Sequence, residues 1–363
     1  MMVEELKGVL EEFKGEVIET VKTVTKEEVK KILEEEKIGK IEKAPEYSEG
    51  EKKDIAQFFK ALVSKDFVAL KALSEGVDTA GGYLVPEEFK AQVLDIAKDV
   101  GYVRRYGTVI PLKKDTLNIP KLSSKPSVSW VSEGGQISEG EPTFGQVQLV
   151  VKKAGIIVPV TTELFEDSDV DIVNLLAKIF AEAFAEAEDT QGFVGDGTVF
   201  TGVLNATGVN VVTMDTGKTS FGDITADDLI NLISAVPSKV AGKGYFVMHR
   251  SVLAKIKTLK DGNGSYLFNP TDRTIWGYPV ITTDVMPAMS DSAADTAFII
   301  FGDLSYLYLG DRKKMSVALA DQATVGSNNL FEKDMIAVKA TERVAITVAM
   351  PEAFAVLKTA ASS

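Results

Sequence analysis

The sequence predicts an α+β fold with antiparallel pairing. Three observations carry this expectation. A broad apolar stripe at helical spacing runs from Ile172 to Ala187, and apolar runs of strand character fill the chain from Ala297 onward (FIIFGD, YLYLGD, MSVALA, MIAVKATERVAITVAM). Two alternating segments also flank the Gly- and Glu-rich stretch SEGGQISEGEP. No repeat of roughly 20 to 50 residues cuts across this order.

Composition narrows the function classes. With 363 residues, 45% of them hydrophobic, the chain can bury the core of one large or two ordinary domains. A net charge of −13 argues against gripping nucleic acid through its phosphates, although it is compatible with enclosing DNA whose charge is managed by counterions. The absence of cysteine excludes disulfides, thiolate metal sites and cysteine nucleophiles, and a single histidine excludes His-cluster zinc sites. No run approaches the roughly 18 apolar residues of a membrane span, and acids stand at the start of MMVEELKGVLEEF where a secretory signal needs basic residues. A soluble protein made in the cytoplasm, without membrane contact, is expected.

Residues 1 to about 73 are rich in Lys and Glu. Leu6, Leu10, Phe13, Val17, Val21 and Val24 form one helical stripe, and Ile55, Phe58, Phe59, Leu62, Val63, Phe67 and Leu70 a shorter second one. These read as amphipathic helices seeking a partner, without a core of their own. From Ser74 the chain becomes a linker that stiffens at Gly81-Gly82-Tyr83-Leu84-Val85-Pro86.

Over 121–154 the alternation of Val128 and Trp130, then Phe144, Val147, Leu149 and Val151, predicts a two-stranded ribbon with one apolar face and a long tip. Such a ribbon is marginal alone and must lie on something. The long helix that follows, with Ser168 or Asp169 as its cap, has Ile172, Leu175, Leu176, Ile179, Phe180, Ala183, Phe184 and Ala187 on its apolar face. Further helices are expected near 226–236 and 250–259.

Candidates for chemistry are few. Gly195-Asp196-Gly197 follows a helix and lacks the Gly-Lys-Ser/Thr ending of a phosphate loop, so it reads as a turn. His249 could be a base, but without a nominated nucleophile it reads as a capping or surface residue. The acid clusters Glu163/Glu166/Asp167/Asp169 and Glu186/Glu188/Asp189 read as solvated helix ends. Asp261-Gly262-Asn263-Gly264 lacks the closing Glu of a calcium loop, and Trp276-Gly277-Tyr278-Pro279 reads as core at a strand start. No catalytic, cofactor-binding or metal residue is nominated.

The order of these pieces resembles the major capsid proteins of tailed phages: a helical preamble, a linker, GGYLVPEEF, a ribbon carrying Trp130, a spine helix ending FAEAEDTQGFVGDG, Trp276-Gly-Tyr-Pro-Val, and a closing ERVAITVAMPEAFAVLK. Encapsulins, shells of cellular nanocompartments, share that fold and form the alternative. The 1–73 preamble and the long ribbon favour the phage shell over an encapsulin or a soluble α+β enzyme.

The resemblance implies the tailed-phage capsid fold and a structural protein of the virion. In it, 1–73 would be a scaffold-like delta region, commonly cleaved; 74–105 an N-arm; and 121–154 an E-loop lying across the adjacent subunit. Residues 106–120, 155–202 and 311–343 would form a P-domain around the spine helix, and 203–310 with 344–363 an A-domain. The implied partners are the chain itself, in hexamers and pentamers of an icosahedral shell, together with a portal protein, a maturation protease, a decoration protein, and packaged DNA bound without sequence specificity.

Some members of the family crosslink their shells through a Lys–Asn isopeptide. Here the ribbon from Pro126 to Val151 has no lysine, Asp334 stands at the asparagine position, and Thr341 stands at the place of the base with Glu342 on the opposite side of the strand. A shell without that crosslink is expected.

Overall fold

The computed structural model describes residues 83–84, 93, 96–124, 130, 143–163, 172–269, 272–320, 323–326 and 328–362. The chain divides into two units, Met1–Ser48 and Glu49–Ser363, and every described residue belongs to the second. The stripes expected in 1–73 and the cap expected at Ser168 or Asp169 lie outside the described residues.

From β1 (Tyr83–Leu84) the chain passes through helical residues 96–100 and α1 (Tyr102–Tyr106) to β2 (Thr108–Pro111). β3 (Thr116–Ser124) and β4 (Thr143–Val150) pair only with each other, Thr116 opposite Val150 and Ser124 opposite Thr143. A two-stranded ribbon is present, but its ascending strand is Thr116–Ser124: Val128, expected in that strand, lies outside the described residues, and Trp130 is not part of a strand. β5 (Lys152–Thr161) leaves the ribbon at once, so 152–154 already belong to a sheet. α2 (Ile172–Asp189) is the long helix, and it widens into a π-turn at Thr190–Val194. There follow β6 (Asn210–Thr213), α3 (Ala226–Ser234), α4 (Ser238–Ala241), β7 (Tyr245–Met248), α5 (Arg250–Lys257), β8 (Thr274–Ile275), β9 (Tyr278–Thr282) and β10 (Ala297–Gly302). The chain closes through β11 (Leu307–Ala320), β12 (Thr324–Val325), β13 (Asn328–Asn329), β14 (Met335–Val348) and β15 (Phe354–Lys358).

Two sheets organise these strands. In the first, β11 and β14 run antiparallel from Leu307 opposite Val348 to Ala320 opposite Ala337; β5 extends the β14 edge, and β1 and β2 meet opposite ends of β11. In the second, the order is β6-β15-β10-β7-β9-β8. Pairing is mixed, contrary to the antiparallel expectation: β2 joins β11, β6 joins β15 and β9 joins β7 in parallel. The last of these follows from α5, which supplies the crossover that parallel neighbours require between β7 and β9.

α2 packs on one face of the first sheet. Its Leu176, Ala177, Phe180, Ala181 and Phe184 form a core with Met315, Val317 and Leu319 of β11 and Ile336, Val338 and Ala340 of β14. Lys178 and Glu182, 3.8 Å apart, mark the solvent side. The stripe read from sequence is wider than this core, because Leu175 and Ile179 are 49% and 40% exposed. Near its C-terminus the buried face runs through Ala181, Phe184, Ala185 and Glu188, and Ala187 is exposed.

The second sheet is packed largely by aromatic rings, with Phe221 stacked on Phe298 at 4.2 Å and Phe246 tilted against Phe301 at 4.7 Å. Leu307, Leu309, Val344 and Ile346 belong to this same core. β11 and β14 therefore run from one core into the other, and the domain limits expected at 310/311 and 343/344 fall inside strands.

Trp276 corrects another expectation: it is 42% exposed, not core. Ile275 pairs with Tyr278, which leaves Trp276 (φ 48°) and Gly277 (φ 83°) as the left-handed residues of a two-residue hairpin turn.

Candidate functional site

Three features of the first sheet have no explanation in the core alone: the ribbon, a buried charge cluster and an open sheet face. Among the described residues the ribbon is anchored at its base. Leu149 is fully buried with Leu112 and Ala345, and Ile110, Leu117, Ile119 and Tyr308 pack around them. The Val151 N–H donates to the Asp115 carbonyl at 2.9 Å, and the Asp115 carboxylate pairs with Arg312 of β11. Trp130, the largest apolar side chain of the ribbon, is 97% exposed.

The charge cluster lies where α1, the end of α2, β11 and β14 meet. Arg104 donates from Nε to Glu188 Oε2 at 2.6 Å and from Nη2 to Glu188 Oε1 at 2.5 Å. Glu342 Oε2 lies 3.5 Å from Nη2, and Asp311 Oδ2 is 3.7 Å from Nη1. Glu342 Oε1 is buried without a hydrogen-bond partner. One guanidinium thus faces three carboxylates. Burial, reinforced by the negative charge of Glu188, pushes the Glu342 carboxyl up to about 8, and burial raises Glu188 as well, against the pull of Arg104. Near neutrality a proton stays in the cluster. Beside it, Asp189 accepts from the backbone N–H groups of Val103 (2.8 Å) and Tyr102 (3.0 Å), tying α2 to the start of α1. Burial outweighs those two bonds and lifts Asp189 to about 6. The Glu186/Glu188/Asp189 reading is corrected accordingly: Glu186 is solvated, but Glu188 and Asp189 are buried.

On the face of the first sheet away from α2, Ser316 and Thr341 share a 2.8 Å hydrogen bond, and a Cβ on Gly155 would lie 3.0 Å from the Thr341 methyl. This fixes Lys153, Ile157, Lys339 and Arg343, each two residues from Gly155 or Thr341, on the same side. All four are exposed.

The remaining sequence candidates are structural. The Gly195 turn is closed by a bridge between Asp196 and Thr201, and a Cβ on Gly202 would fall 2.5 Å from the Gly195 nitrogen, so only glycine allows this approach. His249 caps α5, its Nδ1 accepting from the Ser251 N–H at 3.1 Å. Asp261 folds its own turn by accepting from the Asn263 and Ser265 N–H groups, both at 2.9 Å. Glu163 is exposed, and Glu166, Asp167 and Asp169 lie outside the described residues. Among the described residues no group of three or more His, Cys, Asp or Glu could hold a metal ion, and no helix is long and apolar enough to cross a membrane.

The sequence model of the phage capsid family matches residues 81–359, which takes in both sheets, α2 and the ribbon. The chain belongs to the phage capsid family. It is 25% identical to the major capsid protein of Klebsiella oxytoca phage phiKO2 over 297 residues, 76% of this chain and 66% of that protein. It is also 25% identical to the major capsid protein of Staphylococcus phage 80alpha over 281 residues, 74% of this chain and 83% of that protein. Among solved structures, the capsid of an empty GTA particle superposes with a TM-score of 0.62 at 24% identity, covering 72% of this chain and 90% of the other. A structure from Microbacterium phage Oxtober96 gives 0.59 at 22%, covering 71% and 91%. The α+β arrangement is thus the tailed-phage capsid fold.

Within this capsid-family chain, the positions that the resemblance associates with crosslinking have other surroundings. Asp334 sits in the turn before β14 with φ 48°, and its carbonyl accepts from the Thr162 N–H and hydroxyl at 3.1 and 2.9 Å. Thr341 is bonded to Ser316, and Glu342 points into the buried cluster on the opposite face.

Proposed function

We propose that this chain is the major capsid protein that assembles with copies of itself, as hexamers and pentamers, into an icosahedral head shell around phage double-stranded DNA. The observation that carries the reading is the ribbon, anchored at Leu149 and carrying a Trp130 that is 97% exposed, in a chain of the phage capsid family. A large exposed apolar side chain such as Trp130 is stabilised by burial against another copy. In this reading the ribbon is the E-loop, the first sheet with α2 the P-domain and the second sheet the A-domain, and residues 1–73 act as a delta region removed by a maturation protease. A portal protein and a decoration protein complete the particle. The chain carries out no catalysis and contacts DNA without reading its sequence, as its net charge of −13 favours.

Negative-stain microscopy of the purified chain tests this. Large hollow particles of uniform size are expected, and small compact particles at all concentrations would overturn it.

A further inference from the structure

α1 is five residues long, and two backbone bonds define its turn: the Arg105 N–H to the Gly101 carbonyl at 3.2 Å and the Gly107 N–H to the Val103 carbonyl at 2.9 Å. A single helical turn does not hold its shape alone in water, so contacts outside the helix keep it folded. On one side these reach the second sheet: Val103 belongs to its core, the Tyr102 hydroxyl donates to the Thr282 carbonyl at 3.1 Å, and the Tyr106 and Tyr245 rings lie 5.0 Å apart. On the other side they are electrostatic, Asp189 accepting from the Tyr102 and Val103 N–H groups and Arg104 meeting Glu188, Glu342 and Asp311. α1 therefore pins the end of α2 to the second sheet.

How firmly it holds depends on charge. With every carboxyl ionised, three negative groups would face one guanidinium in a space largely closed to water, where like charges repel strongly. Glu342 hydrogen-bonds to Glu188 as the donor, which only a protonated carboxyl can do, and its Oε1 is buried without a partner. Among the described residues, the charged groups that face Glu342 are Arg104 from α1, Glu188 from α2 and Asp311 from β11. Its same-side neighbours on β14, Ala340 and Val344, are apolar, and Ala154 of β5 stands opposite it. Tyr102, raised further by burial, stays neutral. Arg104 is the one cation of this set, and it moves with α1.

We infer that α1 is a clasp held shut by one proton shared between Glu342 and Glu188, and that loss of this proton to solvent releases α1 from the end of α2 while the cores of both sheets stay folded. This is a local opening, distinct from unfolding of the subunit. Once α1 lifts away, Glu342 meets water and becomes an ordinary carboxyl, so the open form gives up the proton that the closed form keeps. With the closed carboxyl at about 8 and the open one near 4.5, opening becomes easier with each pH unit between these values and levels off above 8.

Hydrogen exchange of the full-length chain tests this, read by mass spectrometry at pH 6 and pH 8 and divided by the intrinsic exchange rate at each pH. Sedimentation checks that the assembly state is the same at both. Protection of residues 102–107 should fall at least about tenfold from pH 6 to pH 8, while β10 and β15 keep theirs. In Glu342→Gln the fall should shrink to about twofold or less, the share left to Asp189 at about 6. Unchanged protection of α1 in the wild-type chain overturns the inference. So does an equal loss in α1, β10 and β15, or a fall in Glu342→Gln as large as in wild type. If that variant does not fold, the infrared carbonyl band of a protonated carboxyl decides in the wild-type chain. It should be present at pH 7 and lose most of its intensity by pH 9; absence at pH 7, or full intensity at pH 9, overturns the inference.

Discussion

Arg104 grips Glu188 through two hydrogen bonds, from Nε at 2.6 Å and from Nη2 at 2.5 Å, with both side chains almost wholly buried. This pair joins α1 to the end of α2 and lies against β11 and β14, so it fastens together elements distant in sequence. A buried ion pair adds little net stability over an apolar replacement, yet removal of one member strands the other. Arg104→Met would leave Glu188, Glu342 and Asp311 facing one another without a cation. The variant should unfold at lower temperature, with a loss of about 3–5 kcal/mol read from denaturant titration at neutral pH.

The same cluster gives the fold an alkaline limit. Glu342 titrates near 8 when folded and near 4.5 otherwise, so the folded state keeps a proton that the unfolded chain releases. Its contribution is complete below about pH 4.5 and is lost as pH rises through 8. Asp189 acts in the same direction at lower pH, between 3.8 and about 6. Stability should therefore decline from acid toward alkaline pH across this range. Glu342→Gln, which needs no proton to be neutral, should flatten the part between pH 6 and 8. A melting-temperature profile in which wild type and variant run parallel over that interval would refute this assignment.

Leu149 is the anchor of the ribbon. Leu149→Ala opens a cavity among Leu112, Ala345 and Tyr308 and should cost about 2–5 kcal/mol. Hydrogen exchange should rise first in β3 and β4, while β10 and β15 keep their protection until global unfolding.

Gly202 tolerates no side chain, since a Cβ would stand 2.5 Å from the Gly195 nitrogen and 2.7 Å from the Phe193 carbonyl carbon. Gly202→Ala should displace the turn after α2 and lower the melting temperature by several degrees, which at about 4 °C per kcal/mol is a loss of one to two kcal/mol. Gly262→Ala, with nothing within 4 Å of its Cβ, should leave the melting temperature unchanged and serves as the control.

Particles boiled in denaturant should run as a single band of monomer size or of its processed product. Asp334 offers a carboxylate instead of an amide, and Thr341 is already bonded to Ser316. A ladder of covalent oligomers on the gel would overturn this.

The sequence made the regular elements legible where periodicity is strong. α2 shows its helical stripe, β4 alternates, β15 is a nearly continuous apolar run, and β11 and β14 carry apolar stretches broken by charged residues. It concealed features set by long-range pairing. Glu188 looked solvated because it is charged, although it lies four residues after Phe184 and so continues the buried face; that spacing was the available signal. Its partner Arg104 is 84 residues away, a separation that no local pattern encodes. Trp276 looked like core by size alone, whereas the following glycine and the Ile275–Tyr278 pairing made it a turn residue. The cationic face needed the register of β5 on β14, which places Lys153 beside Arg343 across 190 residues.

β11 and β14, each 14 residues long, pass without interruption from the core under α2 into the aromatic core of the second sheet. At roughly 3.3 Å per residue each spans about 46 Å. Tension applied between the two halves of the subunit is therefore carried by covalent backbone, and the hydrogen bonds between the strands are loaded in shear, many at once, instead of opening one after another. Under outward load the subunit should behave as a girder with two chords.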